Sequence, residues 1–183
     1  MTALGFAAYG DAARAIEQHL PDMIDKRLAS RMMASQDPTL WGPAAEAEAS
    51  KRLGWTVPFE DAEKVLQEAE AYAQELHAEG LTNIVLAGMG GSSLAPELIA
   101  ADAGNKNLTV LDGTDPAFVT NALNQDLSNT VMVVASKSGS TAETDSQRRA
   151  FLAACDNAGL DAPSHVIVVT DPTVLDDNIQ EGL

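Results

Sequence analysis

Val131-Met132-Val133-Val134-Ala135-Ser136-Lys137-Ser138-Gly139-Ser140-Thr141-Ala142-Glu143-Thr144 runs from an apolar strand through a polar loop into a helix. The apolar run up to Ala135 predicts a buried strand, and Gly139 lets the following backbone turn tightly. Ser140-x-x-Glu143 predicts a capping box that opens the next helix. Of the six residues from Ser136 to Thr141, five carry a hydroxyl or an ammonium group. Such a loop, set above the positive end of a helix, suits an anion and above all a phosphate.

The same strand-then-cap grammar recurs from residue 81 onward. Short apolar runs at 83–87, 108–111, 130–135 and 165–170 each lead into Gly, Ser or Asp. Asp115-Pro116 and Asp171-Pro172 carry the signature of a helix cap followed by a first-turn proline. Short apolar strands alternating with helices predict an α/β fold, a parallel sheet with helices on both faces in Rossmann-like layers. Right-handed crossovers put every strand-to-helix loop at the carboxyl edge, and ligands bind where strand order reverses.

One further loop stands out there, Gly88-Met89-Gly90-Gly91-Ser92-Ser93-Leu94-Ala95-Pro96-Glu97. Its glycines permit close approach of the backbone to a ligand, and Ser92 or Ser93 can cap a helix. Pro96 is expected within the first turn, where no N–H is needed. The loop lacks the spacing of a dinucleotide site, since position 93 is Ser, and lacks the lysine of a nucleotide P-loop.

The first third reads as helical. Ala13, Ile16, Leu20, Ile24 and Leu28 recur at helical spacing, with Pro21 expected to bend or interrupt them. An irregular stretch holds Trp41 and Trp55, expected to pack this coil against the rest of the molecule. Residues 60–79 predict a helix with the apolar stripe Ala62, Val65, Leu66, Ala69, Ala73 and Leu76, a Glu60–Lys64 pair and a stop at Gly80. The expected organisation is a helical segment, 1–80, packed on an α/β domain, 81–183.

The 183 residues carry a net charge of −16, from 11 basic and 27 acidic side chains. Nucleic-acid binding needs a basic face, so this balance argues against it. Residues 79–183 hold four basic side chains, Lys106, Lys137, Arg148 and Arg149, and Lys137 falls inside the serine-rich loop. No basic segment followed by an apolar core opens the chain, and no apolar run is long enough to span a membrane. The single Cys155 excludes an internal disulfide, suits a reducing cytoplasm, and lies in a helical core pattern with Phe151 and Leu152. His19, His77 and His165 are dispersed and share no metal-ligand spacing.

The loops Gly88–Glu97 and Ser136–Thr144 together resemble the paired signatures of the sugar-isomerase (SIS) fold, and within it the phosphoglucose isomerase family. Lys137 and the closing Glu143-Thr144 are the features closest to that family. Asp37-Pro-Thr-Leu-Trp41 and Arg52-Leu-Gly-Trp55 further resemble the isomerase half of bacterial transaldolase/phosphoglucose isomerase fusions. The resemblance implies interconversion of glucose 6-phosphate and fructose 6-phosphate through an enediol intermediate, without metal or organic cofactor. It implies that Ser136, Lys137, Ser138 and Thr141 hold the phosphate, and that Gly91 and Ser92 touch the sugar. The family's proton-transferring residues match no position here, and its members carry a second SIS domain. This chain is therefore expected to be an amino-terminal sugar-phosphate-binding portion, with the fourth strand's sheet continued elsewhere. A homodimer is left open. Two other readings stay open: a SIS isomerase for another phosphosugar, and a phosphosugar-sensing regulatory domain.

Overall fold

A computed structural model describes residues 5, 7–56 and 62–171. The chain divides into two compact units, Met1–Ala69 and Glu70–Leu183.

The first unit holds α1 (Gly10–Asp25), α2 (Leu28–Ser35) and α3 (Pro43–Arg52). Helix α1 runs through Pro21 and ends instead at Lys26, after which Arg27 takes a left-handed conformation with φ 51°. The break thus falls six residues beyond the proline. The turn before α3 is built by polar groups. Asp37 accepts from the Thr39 amide at 2.9 Å and its hydroxyl at 2.6 Å, and from Arg31 Nε at 2.8 Å. Leu53 is buried, and its carbonyl accepts from Gln36 Nε2 and Thr56 Oγ1. Trp41, expected to be packed, is 52% exposed, because this hydrogen-bonded turn closes without the indole.

The Thr39 hydroxyl, the Thr39 amide and Arg31 hold the Asp37 carboxyl down, from its ordinary value to about 2. The unfolded chain titrates near pH ~4 and so binds more protons in acid than the folded one. The contribution of Asp37 is expected to be complete above that pH and to vanish as pH falls toward 2. Unfolding of the wild type and of Asp37→Asn, followed from mildly to strongly acidic solution, should show a gap that closes on acidification. A gap independent of pH would contradict this.

Helix α4 (Ala62–Ala78) ends where Gly80 was expected to stop it. The Gly80 amide donates to His77 and the Leu81 amide to Leu76, a closed Schellman pair. Its expected apolar stripe is exposed, with Val65 and Leu66 both at 58%, and only Leu76 is partly covered. Periodicity reported the helix correctly but not a covering neighbour. Lys64 lies 3.7 Å from Glu68; the expected partner Glu60 lies outside the described residues.

The sheet contains β1 (Asn83–Gly88), β2 (Leu108–Leu111), β3 (Thr130–Ala135) and β4 (Val166–Val169), all parallel, in the order β2-β1-β3-β4. Between them run α5 (Gly91–Asp102), α6 (Pro116–Leu123) and α7 (Ala142–Asn157). The expected α/β architecture is therefore present. Crossovers from β1 to β2 run one way and those from β2 to β3 and β3 to β4 the other, so right-handedness places α5 opposite α6 and α7. Side chains alternate across the strands. Val85, Ala87, Met132 and Val134 join Leu111, Ala122, Phe151 and Cys155 in the main core. Cys155 is a fully buried free thiol whose pKa is raised by burial and then by Asp156, as suits a packing residue.

Candidate functional site

Strand order reverses between β1 and β3. Their last paired residues are Gly88 and Ala135. Neighbouring strands stand about 4.8 Å apart, so the loops beginning at Met89 and Ser136 leave the sheet side by side. Every residue singled out in the sequence, Gly91, Ser92, Ser136, Lys137, Ser138 and Thr141, belongs to one of these two segments.

The loop after β1 is shaped by Gly88. A Cβ there would lie 3.1 Å from the Ser92 carbonyl oxygen and 3.2 Å from its carbon. The first turn of α5 therefore leans directly on the strand end. Gly90, not a serine, is the amino-terminal cap of α5, and no side chain caps it. Ser93 is fully buried and turns its hydroxyl back to the Gly90 carbonyl at 3.0 Å. Pro96 lies in the second turn rather than the first, so it cannot donate to the Ser92 carbonyl. Gly88→Ala is expected to lower stability by about 1–3 kcal/mol, because the obstructing atoms are the Ser92 carbonyl group and Cβ rather than the far end of a flexible side chain. Chemical denaturation checks this, and an unchanged midpoint would refute it.

The loop after β3 departs from the capping box expected at Ser140. Ser136 stays in the sheet, its amide donating to the Val169 carbonyl at 3.0 Å. Gly139 then turns with φ 65°, and its amide donates to the Ser136 carbonyl at 3.2 Å. That turn carries the chain one residue further before helical geometry begins, so Thr141 is the cap position of α7. Thr141 does not cap with its side chain. Its Oγ1 lies 2.9 Å from Ser136 Oγ, and the Ser140 hydroxyl donates to Ser138 Oγ at 3.2 Å. Four hydroxyls thus pair among themselves in front of an uncapped helix end. Lys137 is exposed beside them and has no ion-pair partner among the described residues.

Helix α6 provides the contrast. Asp115 caps it with bonds from the Ala117 and Phe118 amides at 2.9 and 3.1 Å, as the Asp-Pro signature predicts. The two helices that begin at the reversal point lack side-chain caps; the one beginning at β2 has its cap. Uncapped amides and the helix dipole both favour an anion there.

Two arginines of α7 are paired with Asp145 in its first turn. Burial raises the Asp145 pKa, but bonds from Arg149 and Arg148 outweigh it and leave the carboxyl below its ordinary range. Arg149 Nε donates at 2.7 Å and Arg148 Nη2 at 3.0 Å. His165 is buried with Nδ1 2.8 Å from the Thr130 carbonyl, at the far end of the strands. Among the described residues, no three His, Cys, Asp or Glu side chains group as a metal site, and no helix is long and apolar enough to cross a membrane. Thr144, read in the sequence as the end of the polar loop, and Gln147, which sequence reasoning missed, are both buried in α7. The successive three- and four-residue steps from Thr144 to Gln147 to Phe151 were the available signal.

This arrangement defines a parallel α/β protein whose carboxyl edge carries two adjacent helix ends without side-chain caps. Residues 61–173 match the profile of phosphoglucose isomerase, and the chain belongs to that family. It is 36% identical over 102 residues to a glucose-6-phosphate isomerase of Gloeothece citriformis, covering 52% of this chain and 19% of that protein. A glucose-6-phosphate isomerase of Acaryochloris marina is 33% identical over 123 residues, covering 57% of this chain and 23% of the relative. The chain thus spans about a fifth of the curated relatives it matches. The crystal structure of a glucose-6-phosphate isomerase from Chlamydia trachomatis aligns with TM-score 0.62 and 21% identity, over 94% of this chain and 37% of that one. A hypothetical protein of Thermus thermophilus, TT0462, aligns with TM-score 0.59 and 24% identity, over 93% and 39%. At these identities the two structures speak to fold.

Proposed function

We propose that residues 81–183 form the sugar-phosphate-binding domain of a glucose-6-phosphate isomerase, acting on glucose 6-phosphate and fructose 6-phosphate. Ser136, Lys137, Ser138 and Thr141 hold the phosphate, and Gly91 and Ser92 meet the sugar. The observation that carries this is the pair of uncapped helix ends side by side at the strand-order reversal, one of them fronted by hydroxyls and Lys137. Family membership and the names of the relatives support the substrate class.

The reaction is an aldose–ketose isomerisation. It moves one proton between adjacent carbons and one between their oxygens, an internal oxidation and reduction that needs no external electron acceptor. We assign none of the proton transfers to residues of this chain. Its share is to anchor the phosphate, which fixes the sugar for groups supplied elsewhere in the whole enzyme. The setting proposed is cytoplasmic glycolysis and gluconeogenesis.

Titration of the 183-residue chain with glucose 6-phosphate, followed by amide NMR shifts, tests this. Binding is expected to be weak, with the largest shifts at Gly91, Ser92 and Ser136–Thr141, and no conversion to fructose 6-phosphate. Absence of binding, or turnover by this chain alone, would overturn the assignment.

A further inference from the structure

Four residues of α7, Thr144, Gln147, Phe151 and Cys155, are buried against the sheet. Two are apolar packing residues; the other two are polar where packing alone would favour Leu or Met. Gln147 is 1% exposed, and its Nε2 donates to the Gly113 carbonyl at 2.9 Å. Gly113 lies in the loop after β2, which is separated from β3 by β1. The bond therefore passes behind the strand that carries the Gly88–Gly91 loop. It ties the helix that starts at the hydroxyl-rich loop to the far side of the same sheet edge. The remaining amide oxygen, Gln147 Oε1, is buried without a partner, and so is Thr144 Oγ1 one turn nearer the loop.

We infer that Gln147 is a positioning residue: through Gly113 it fixes the phosphate loop relative to the sheet edge that also carries the Gly88–Ser92 loop. This rests on the proposed sugar-phosphate site and adds a consequence to it. A hexose phosphate spans both loops and feels their relative placement. Inorganic phosphate touches only one of them and does not.

The test uses the 183-residue chain with Gln147→Met, which keeps the volume, and Gln147→Glu, which keeps the shape. Glucose 6-phosphate and inorganic phosphate are titrated into each by calorimetry or NMR. The full worth of an ordinary hydrogen bond sets the ceiling, so glucose 6-phosphate binding is expected to weaken by up to about tenfold in Gln147→Met, with phosphate binding unchanged. In Gln147→Glu the ionised carboxylate cannot donate to Gly113, whereas the protonated acid can. Its glucose 6-phosphate affinity, relative to wild type, is expected to recover as pH is lowered from neutrality. Equal weakening of both ligands in Gln147→Met would reduce the residue to a packing role and overturn the inference. So would unchanged binding of both, or a Gln147→Glu deficit that ignores pH. A wild type that binds neither ligand would instead sink the site itself, and this inference with it, without reference to any variant.

Discussion

Phe151→Ala is expected to cost the chain about 3–5 kcal/mol, the range for deleting a fully buried aromatic ring. Among the described residues Phe151 is the largest fully buried side chain, 0% exposed, in the core with Val85, Leu111, Met132 and Cys155. Few neighbours can collapse into the space, because two of its walls are paired strands and their main chain is held by the ladder. Domains of this size have only about 5–15 kcal/mol in hand. A drop in melting temperature on the order of 10 °C follows. Denaturant unfolding with the slope held in common measures it, and a loss below about 1 kcal/mol would show that the core is not where it is placed here. Because α7 also carries the hydroxyl-rich loop, ligand binding should weaken as the variant approaches its unfolding midpoint, and only then.

Thr141→Val should do the opposite, sparing the fold and damaging binding. Its hydroxyl makes no helix-capping bond; it pairs with Ser136 Oγ at 2.9 Å. Valine keeps the shape, so stability should change by no more than about 1 kcal/mol, the worth of one neutral hydrogen bond. A bond to a charged phosphate is worth about 1.5–3 kcal/mol, which predicts glucose 6-phosphate binding weaker by roughly tenfold or more. Ser146→Ala is the control, since among the described residues that hydroxyl serves only the Ala142 carbonyl of the same helix. Equal affinity in wild type and Thr141→Val would remove Thr141 from the site. Paired with Phe151→Ala, it separates loss of fold from loss of ligand.

The strands were legible because parallel strands buried on both faces read as short apolar runs. β2 and β3 fall where the sequence places them, and β1 and β4 differ by one residue at their ends. Asp115-Pro116 was legible because its cap is local, closed within three residues. The capping box at Ser140 was not. Which hydroxyl faces the helix depends on the turn at Gly139, and that turn is set by Ser136 remaining in register with Val169. The stripe on α4 reported amphipathicity, yet a pattern of spacing carries no information about whether a neighbour lies against it.

The amino-acid sequence by itself determined the elements and the chemistry at each loop, since both follow from short-range periodicity and residue type. It also carried the family resemblance, in two loops 48 residues apart. The tertiary structure alone decided that these loops adjoin, because strand order, not chain order, sets which carboxyl ends are neighbours. It alone separated helix ends left open from the one closed by Asp115. It alone placed Gln147 inside the molecule: a single polar residue on a helix reads as surface until a sheet covers it.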